Sequence, residues 1–343
     1  MDSFIYSLNS TIPIFLVMIV GGVIKKLGIV DDHFVKVANK YVFLVALPVL
    51  LFHDLSKTNF TEQFDIKFVL FCVIVTILMF VLTWIGTELF MKDDTMKGSF
   101  VQGSCRSSAA ILGMAFIQNM YSDTGMAPLM IVAAVPLFNI FAVTILTFKA
   151  HPEAFGEHIE QGENALEDGK EQDDLITKSA TKVNNHANIK KACINIAKNP
   201  IIIGIVLGLL SSLAGFTYHP IIQKTIDSIA QTATPIALIC IGAGFEGRKA
   251  IKKIKPTAIS SFIKLILLAA IFIPVAVWMG FRNQELVAIL IMLASPSTVT
   301  CYIMARNMDN DAVLASSIVV MTTLFASVTL TGWIFVLKLA CLI

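Results

Sequence analysis

The amino-acid sequence predicts an all-α integral membrane protein of ten transmembrane helices, arranged as two five-helix halves in a 5+5 inverted-topology repeat. Three observations predict it: a composition suited to lipid, apolar stretches of membrane-spanning length, and internal similarity at a fixed shift.

Composition comes first. Of 343 residues, 56% are hydrophobic and 15% charged, and the mean hydropathy is +0.78. Soluble domains carry about 25% charge, so much of this surface must face lipid. The net charge of +2 is too small to suggest a nucleic-acid partner, and the cationic residues sit in short loops rather than on one face. Six cysteines, at positions 72, 105, 193, 240, 301 and 341, show no CxxC spacing. They predict neither a disulfide framework nor a zinc site. The N-terminal segment lacks a basic region and a small-residue cleavage site, so Thr11 onward reads as a first span rather than a signal peptide.

A bilayer core of about 30 Å needs roughly 20 apolar residues per helix. The candidate spans are 9–27, 36–55, 66–90, 98–120, 125–149, 199–217, 222–245, 256–280, 285–305 and 311–338. Short connections imply antiparallel neighbours. The exception is 150–198, acidic in its first part and basic in its second, with few large apolar residues; it reads as a solvated linker. The domains are therefore a first repeat (1–149), a linker (150–198) and a second repeat (199–343). Lysine and arginine concentrate in the loops after spans 1, 3, 7 and 9, including Lys25, Lys26, Lys92, Lys97, Lys252, Lys253 and Arg306. The positive-inside rule then places both termini outside and the linker in the cytoplasm, within the cell membrane.

A shift of 187 residues brings Pro13 onto Pro200, Gly21 onto Gly208, Gly28 onto Gly215 and Pro48 onto Pro235. Each half has an odd number of spans, so the second must enter the membrane from the opposite side. Inverted repeats are common in secondary transporters, with the site near the midplane where paired helices are interrupted.

Two segments fit that description. The fourth span holds Gly103-Ser-Cys-Arg-Ser-Ser-Ala-Ala-Ile-Leu-Gly113, and the ninth holds Leu293-Ala-Ser-Pro-Ser-Thr-Val-Thr300. Pro296 removes a backbone donor and opens its helix. Hydroxyls at Ser107, Ser108, Ser295, Ser297 and Thr298 can satisfy freed backbone groups or bind a ligand, although serine and threonine also serve as ordinary packing residues. Arg106 lies roughly 13 Å into its span at 1.5 Å per residue. A guanidinium there is costly unless paired or hydrated, so it either meets a carboxylate ligand or pairs with an acidic side chain. Asn139 in the fifth span is a candidate polar contact. Lys264 sits similarly in the eighth span, but its stem is long enough to reach the cytoplasmic surface, which leaves a functional role as the lesser reading. His53, Asp54 and His219 read as interfacial, with a proton-coupling role for the first two as the lesser reading. Gly242-Ala-Gly-Phe-Glu-Gly247 matches GxGxxG by letter only, because it ends an apolar helix instead of following a strand. Walker A, HExxH and GxSxG sequences are absent, which argues against ATP-driven transport within this chain and against an enzyme. No cofactor is expected.

Asn39-Lys-Tyr-Val-Phe-Leu-Val-Ala-Leu-Pro-Val-Leu-Leu-Phe52, Asn199-Pro-Ile-Ile-Ile-Gly204 and Ala294-Ser-Pro-Ser-Thr-Val-Thr300 followed by Met304-Ala-Arg306 resemble the auxin efflux carrier family. Its bacterial members include proteins named as malate permeases, and it lies within the bile acid/auxin/arsenite transporter superfamily. The resemblance implies fourth and ninth helices that cross where each is broken, and movement of carboxylates driven by a gradient or the membrane potential. Members commonly carry an Arg-x-Asn-like element in the fourth span; Arg106 and Ser107 fit it, and Ser108 stands where the Asn would be. The expected function is secondary transport of a small organic anion, a carboxylate with malate-like dicarboxylates included, with proton or sodium as candidate coupling ion and a homodimer allowed. Alternatives are a sodium-coupled carrier of a larger amphipathic anion, of bile-acid or auxin type, and a membrane sensor on the same fold.

Overall fold

A computed structural model of the protein describes residues 2–56, 65–109, 117, 120, 126–155, 194, 196–216, 218–245 and 247–343. Among them every regular element is helical. Most of the central linker, residues 156–193, lies outside the described residues, as do 110–113 of the fourth-span segment.

The first part of the chain forms α1 (Asp2–Lys26), α2 (Asp32–Ser56), α3 (Ile66–Phe90), α4 (Asp94–Cys105) and α5 (Ala127–Phe148). Aspartates start three of these helices. Asp31 accepts the Phe34 N–H at 2.7 Å, Asp65 accepts those of Lys67 and Phe68, and Asp93 accepts that of Thr95. Each satisfies donors that a helix start leaves open. Within α2 the backbone widens to a π-turn at Val42–Ala46, where the Leu47 N–H reaches back to the Val42 carbonyl. Pro48 follows at once, and its ring crowds the preceding turn of a regular helix.

After the linker come α6 (Pro200–Leu213), α7 (Pro220–Ala243), α8 (Ile254–Trp278), α9 (Asn283–Ala294), α10 (Thr300–Asn307) and α11 (Ala312–Leu339). Prolines open α6 and α7 at the first turn, where no N–H is needed. A second π-turn, Ile263–Leu267, interrupts α8.

Among the described residues, six helices, α2, α3, α5, α7, α8 and α11, are long and apolar enough to cross a membrane. Their outward residues form an apolar belt, including Leu70, Ile74 and Leu82 on α3 and Ile259, Phe262 and Ile266 on α8. The chain is a multi-pass membrane protein. By contrast α4 and α9 have 12 residues each, or about 18 Å at 1.5 Å per residue, little more than half the bilayer core. They occupy the centre: every α9 residue from Leu286 to Ala294 is buried. The expected ninth span is therefore two helices, α9 and α10, separated by non-helical Ser295–Val299.

Glycines set the closest helix contacts. In α1, a Cβ on Gly21 would collide with the Ile239 backbone of α7; in α6, one on Gly208 would press on the Phe52 backbone of α2. Both partners in these contacts are related by the 187-residue shift. Gly28 and Gly215, another related pair, follow α1 and α6 with φ of 72° and 63°, a left-handed conformation that glycine adopts without steric cost. Gly242 of the GxGxxG-like stretch lies within α7, against the Met18 backbone.

Candidate functional site

The interruptions in α4 and α9 are built alike. At the ends of the two helices, Arg106 has φ −69° and ψ 136°, and Ser295 has φ −69° and ψ 155°. Both are extended, and both helices run 12 residues to that point. The breaks thus correspond at a shift of 189 residues. The 187-residue shift placed Ser108 opposite Ser295; the structure places Arg106 there instead, because two residues are gained between Pro235 and the ninth span.

The two broken segments satisfy each other. Backbone groups freed inside a membrane protein have no bulk water to turn to. The Ser108 N–H donates to the Pro296 carbonyl at 2.9 Å. Ser297 Oγ donates to the Gly103 carbonyl, Ser107 Oγ to the Met292 carbonyl, and Gln102 Nε2 to the Cys301 carbonyl at 2.9 Å. The Ser297 N–H is taken up by Thr322 Oγ1 of α11 at 3.1 Å. Pro296 thus opens its helix, and serines at either break close the account.

Arg106 is 3% exposed. Its guanidinium donates to Asn139 Oδ1 at 2.7 Å and to the Met304 thioether, while its Nε has no partner. Asn139 is held in turn by an Nδ2 bond to the Val135 carbonyl one turn earlier in α5, at 2.9 Å, which directs its oxygen at the arginine. No carboxylate among the described residues pairs with Arg106. A small cavity of about 60 Å³ opens beside it. Arg106, Ser107, Ser108, Asn139 and Thr298 line this cavity together with Asp54, Thr234 and Thr300. The remaining candidates, Ser295, Pro296 and Ser297, are buried in the break and are not on its lining. Ser295 Oγ has no hydrogen-bond partner there.

The sequence profile of a family described as "Membrane transport protein" matches residues 6–334. The chain belongs to that family. It is the auxin efflux carrier family of the resemblance, and the protein is a membrane transporter. Similar curated proteins include "Uncharacterized transporter YfdV" of Escherichia coli, 21% identical over 97% of this chain and 98% of its own. Another is "Uncharacterized transporter MJ1031" of Methanocaldococcus jannaschii, 21% identical over 94% of this chain and 96% of its own. A third is the "Putative malonate transporter" of Rhizobium meliloti, 24% identical over 88% of this chain and 86% of its own.

Three features of this transporter's site escape the sequence reading. Lys264 does not extend to the surface: it is fully buried at the crossing, on the π-turn of α8, bonded to Ser107 Oγ and the Leu293 carbonyl. Reach alone does not decide where a lysine goes; the face its helix presents does. Thr234 enters the cavity from α7, next to Pro235, and Leu47 enters beside Pro48. The paired prolines were the available signal for both. Asp54 lines the cavity, and His53 lies between Asp54 at 2.9 Å and Asp227 of α7 at 2.8 Å. His219 caps α7, its ring facing the Ile221 N–H.

Proposed function

We propose that this transporter is a secondary carrier that moves a small organic anion of the carboxylate class across the cell membrane by alternating access. One observation carries the reading: among the described residues, a buried guanidinium facing a cavity has only neutral hydrogen-bond partners and an unpartnered Nε. A buried cation costs several kcal/mol unless its charge is balanced, and a bound carboxylate would supply that balance through charge-assisted bonds. In this reading Arg106 is the charge contact; Ser107, Ser108, Asn139 and Thr298 orient the anion, and Ser295, Pro296 and Ser297 keep the α9 break open.

The 5+5 inverted repeat completes the mechanism, with residues 1–149 and 199–343 as the two halves and 150–198 as the cytoplasmic linker. Support comes from the matched glycine contacts of α1 with α7 and of α6 with α2, from the paired left-handed glycines, and from the two equal-length broken helices. Two such halves supply alternative arrangements open to either side of a midplane site. Cavity size favours a short anion: about 60 Å³ is far below the roughly 300–1,000 Å³ of pockets for drug-sized ligands. The name of the Rhizobium relative points to malonate, a short dicarboxylate.

The test is counterflow in proteoliposomes with labelled mono- and dicarboxylates, malonate and malate among them, with and without proton and sodium gradients. Saturable exchange of a short carboxylate is expected. Absence of exchange for every organic anion in the panel overturns the reading.

A further inference from the structure

Anion binding at Arg106 leaves a second buried cation unused. Lys264 is fully buried, and among the described residues no carboxylate pairs with it. Its ammonium donates to Ser107 Oγ, to the Leu293 carbonyl at 2.7 Å and to the Cys105 carbonyl at 3.4 Å. An ammonium has three N–H donors and no acceptor, so these three oxygens use its whole capacity.

The oxygens come from significant places. Cys105 is the last residue of α4, and Leu293 the last but one of α9. The final carbonyls of a helix lack intrahelical partners and carry the negative end of its dipole. Two such ends meet here, at the centre of the molecule, and both point at one nitrogen. The third oxygen, Ser107 Oγ, already donates its hydrogen to the Met292 carbonyl, so it offers Lys264 only lone pairs. Half-helix carbonyl ends of this kind are where discontinuous-helix transporters hold coupling cations. The π-turn Ile263–Leu267, a feature frequent at functional sites, carries the lysine into this position.

We propose that the Lys264 ammonium is the resident cation of the crossing. Tethered to α8, it fills the place of a free monovalent ion between the two half-helix ends, so that transport needs no sodium there. The inference rests on the transport reading for its consequence, but its geometry is independent of the cargo. Lys264 is a positioning residue: it fixes the ends of α4 and α9 against each other and holds Ser107 beside Arg106.

The experiment uses the full-length protein. Thermal unfolding of purified wild type and Lys264→Ala is compared in choline, sodium and methylammonium chloride. Wild type should show one Tm in all three salts. Lys264→Ala should show a lower Tm in choline that rises toward wild type with increasing methylammonium or sodium, as a small cation enters the vacated place. A Lys264→Ala protein whose Tm ignores the cation overturns the proposal. Should that variant yield no folded protein, Lys264→Arg and Lys264→Met decide: the arginine variant is expected to fold and the neutral one to be destabilised, and the opposite order overturns it. In proteoliposomes, wild-type malonate counterflow should be equal in sodium and choline; a strict sodium requirement also overturns it. Failure to exchange malonate in either salt would count against the anion reading alone, because the unfolding comparison stands without it.

Discussion

At the scale of single residues, Arg106 combines functional need with structural cost. Its guanidinium is buried against an amide and a thioether, without a counter-charge among the described residues. Removing an uncompensated buried charge need not destabilise a fold, whereas losing its bond to a carboxylate costs about 1.5–3 kcal/mol. Arg106→Ala should therefore lose about tenfold to a hundredfold in anion counterflow while keeping a wild-type Tm. A fall in Tm with transport intact would instead make the arginine structural. The depth of Arg106 was legible in the sequence because position within a span counts residues. The destination of Lys264 was not, because a long side chain can point to either the surface or the crossing, and only packing of α8 against α4 and α9 selects one. Thr234 and Asp54 were obscured for the same reason: their roles depend on which neighbour their helix faces.

At the scale of elements, close approach of helices depends on a few glycines. A Cβ on Gly21 would sit closer to the Ile239 backbone than any side chain allows, and one on Gly208 would lie 3.0 Å from the Phe52 backbone, tighter than ordinary contact, whereas Gly86 and Gly332 have open space. Gly21→Ala and Gly208→Ala should each cost about 1–3 kcal/mol through overpacking, seen as a lowered Tm. Gly86→Ala and Gly332→Ala should leave Tm unchanged or raise it slightly, since alanine is the better helix former. Equal behaviour of all four would mean that the contacts can relax. Electrostatics acts at the corner between α3 and α4. Lys97 reaches Glu88 at 2.7 Å and Asp94 at 2.9 Å, and Lys149 at the end of α5 reaches the same two carboxylates. The hydrogen bond from Lys97, with that from Lys149 and the charge of both, holds the Asp94 carboxyl below its usual range against a smaller effect of burial. A carboxyl depressed in the folded state contributes stability above its unfolded value, about 3.9, and loses it as pH falls through the lower folded value. Unfolding followed from neutral to acidic pH should show that loss, and Asp94→Asn should flatten this part of the profile. Asp94 is half exposed, so the change will be small. Element boundaries were largely legible, because apolar length and capping aspartates mark them. The exact break in α4 was not: it carries no proline, and its end at Cys105 is fixed by bonding to the α9 segment.

At the scale of the whole molecule, coincident prolines and glycines suggest the proposed repeat in the sequence, and matched helix contacts support it. A point contact between α1 and α7 has its counterpart between α6 and α2, as the proposed repeat would require if each half lends its first helix to the other half's second. What sequence spacing could not supply was the two-residue change in register between the Pro48–Pro235 pair and the breaks at Arg106 and Ser295. Whether the halves are inverted is open to a direct test. Lys36, near the start of α2, and Lys224, near the start of α7, are both exposed and stand one residue from equivalence under the 187-residue shift. A parallel repeat would place them on the same side of the membrane; an inverted one places them on opposite sides. The positive-inside rule further assigns Lys36, in a lysine-rich loop, to the cytoplasm. In a variant stripped of its six native cysteines, Lys224→Cys should react with a membrane-impermeant maleimide in intact cells. Lys36→Cys should react only after permeabilisation. Labelling of both from the same side would remove the inverted architecture and, with it, the structural basis for alternating access.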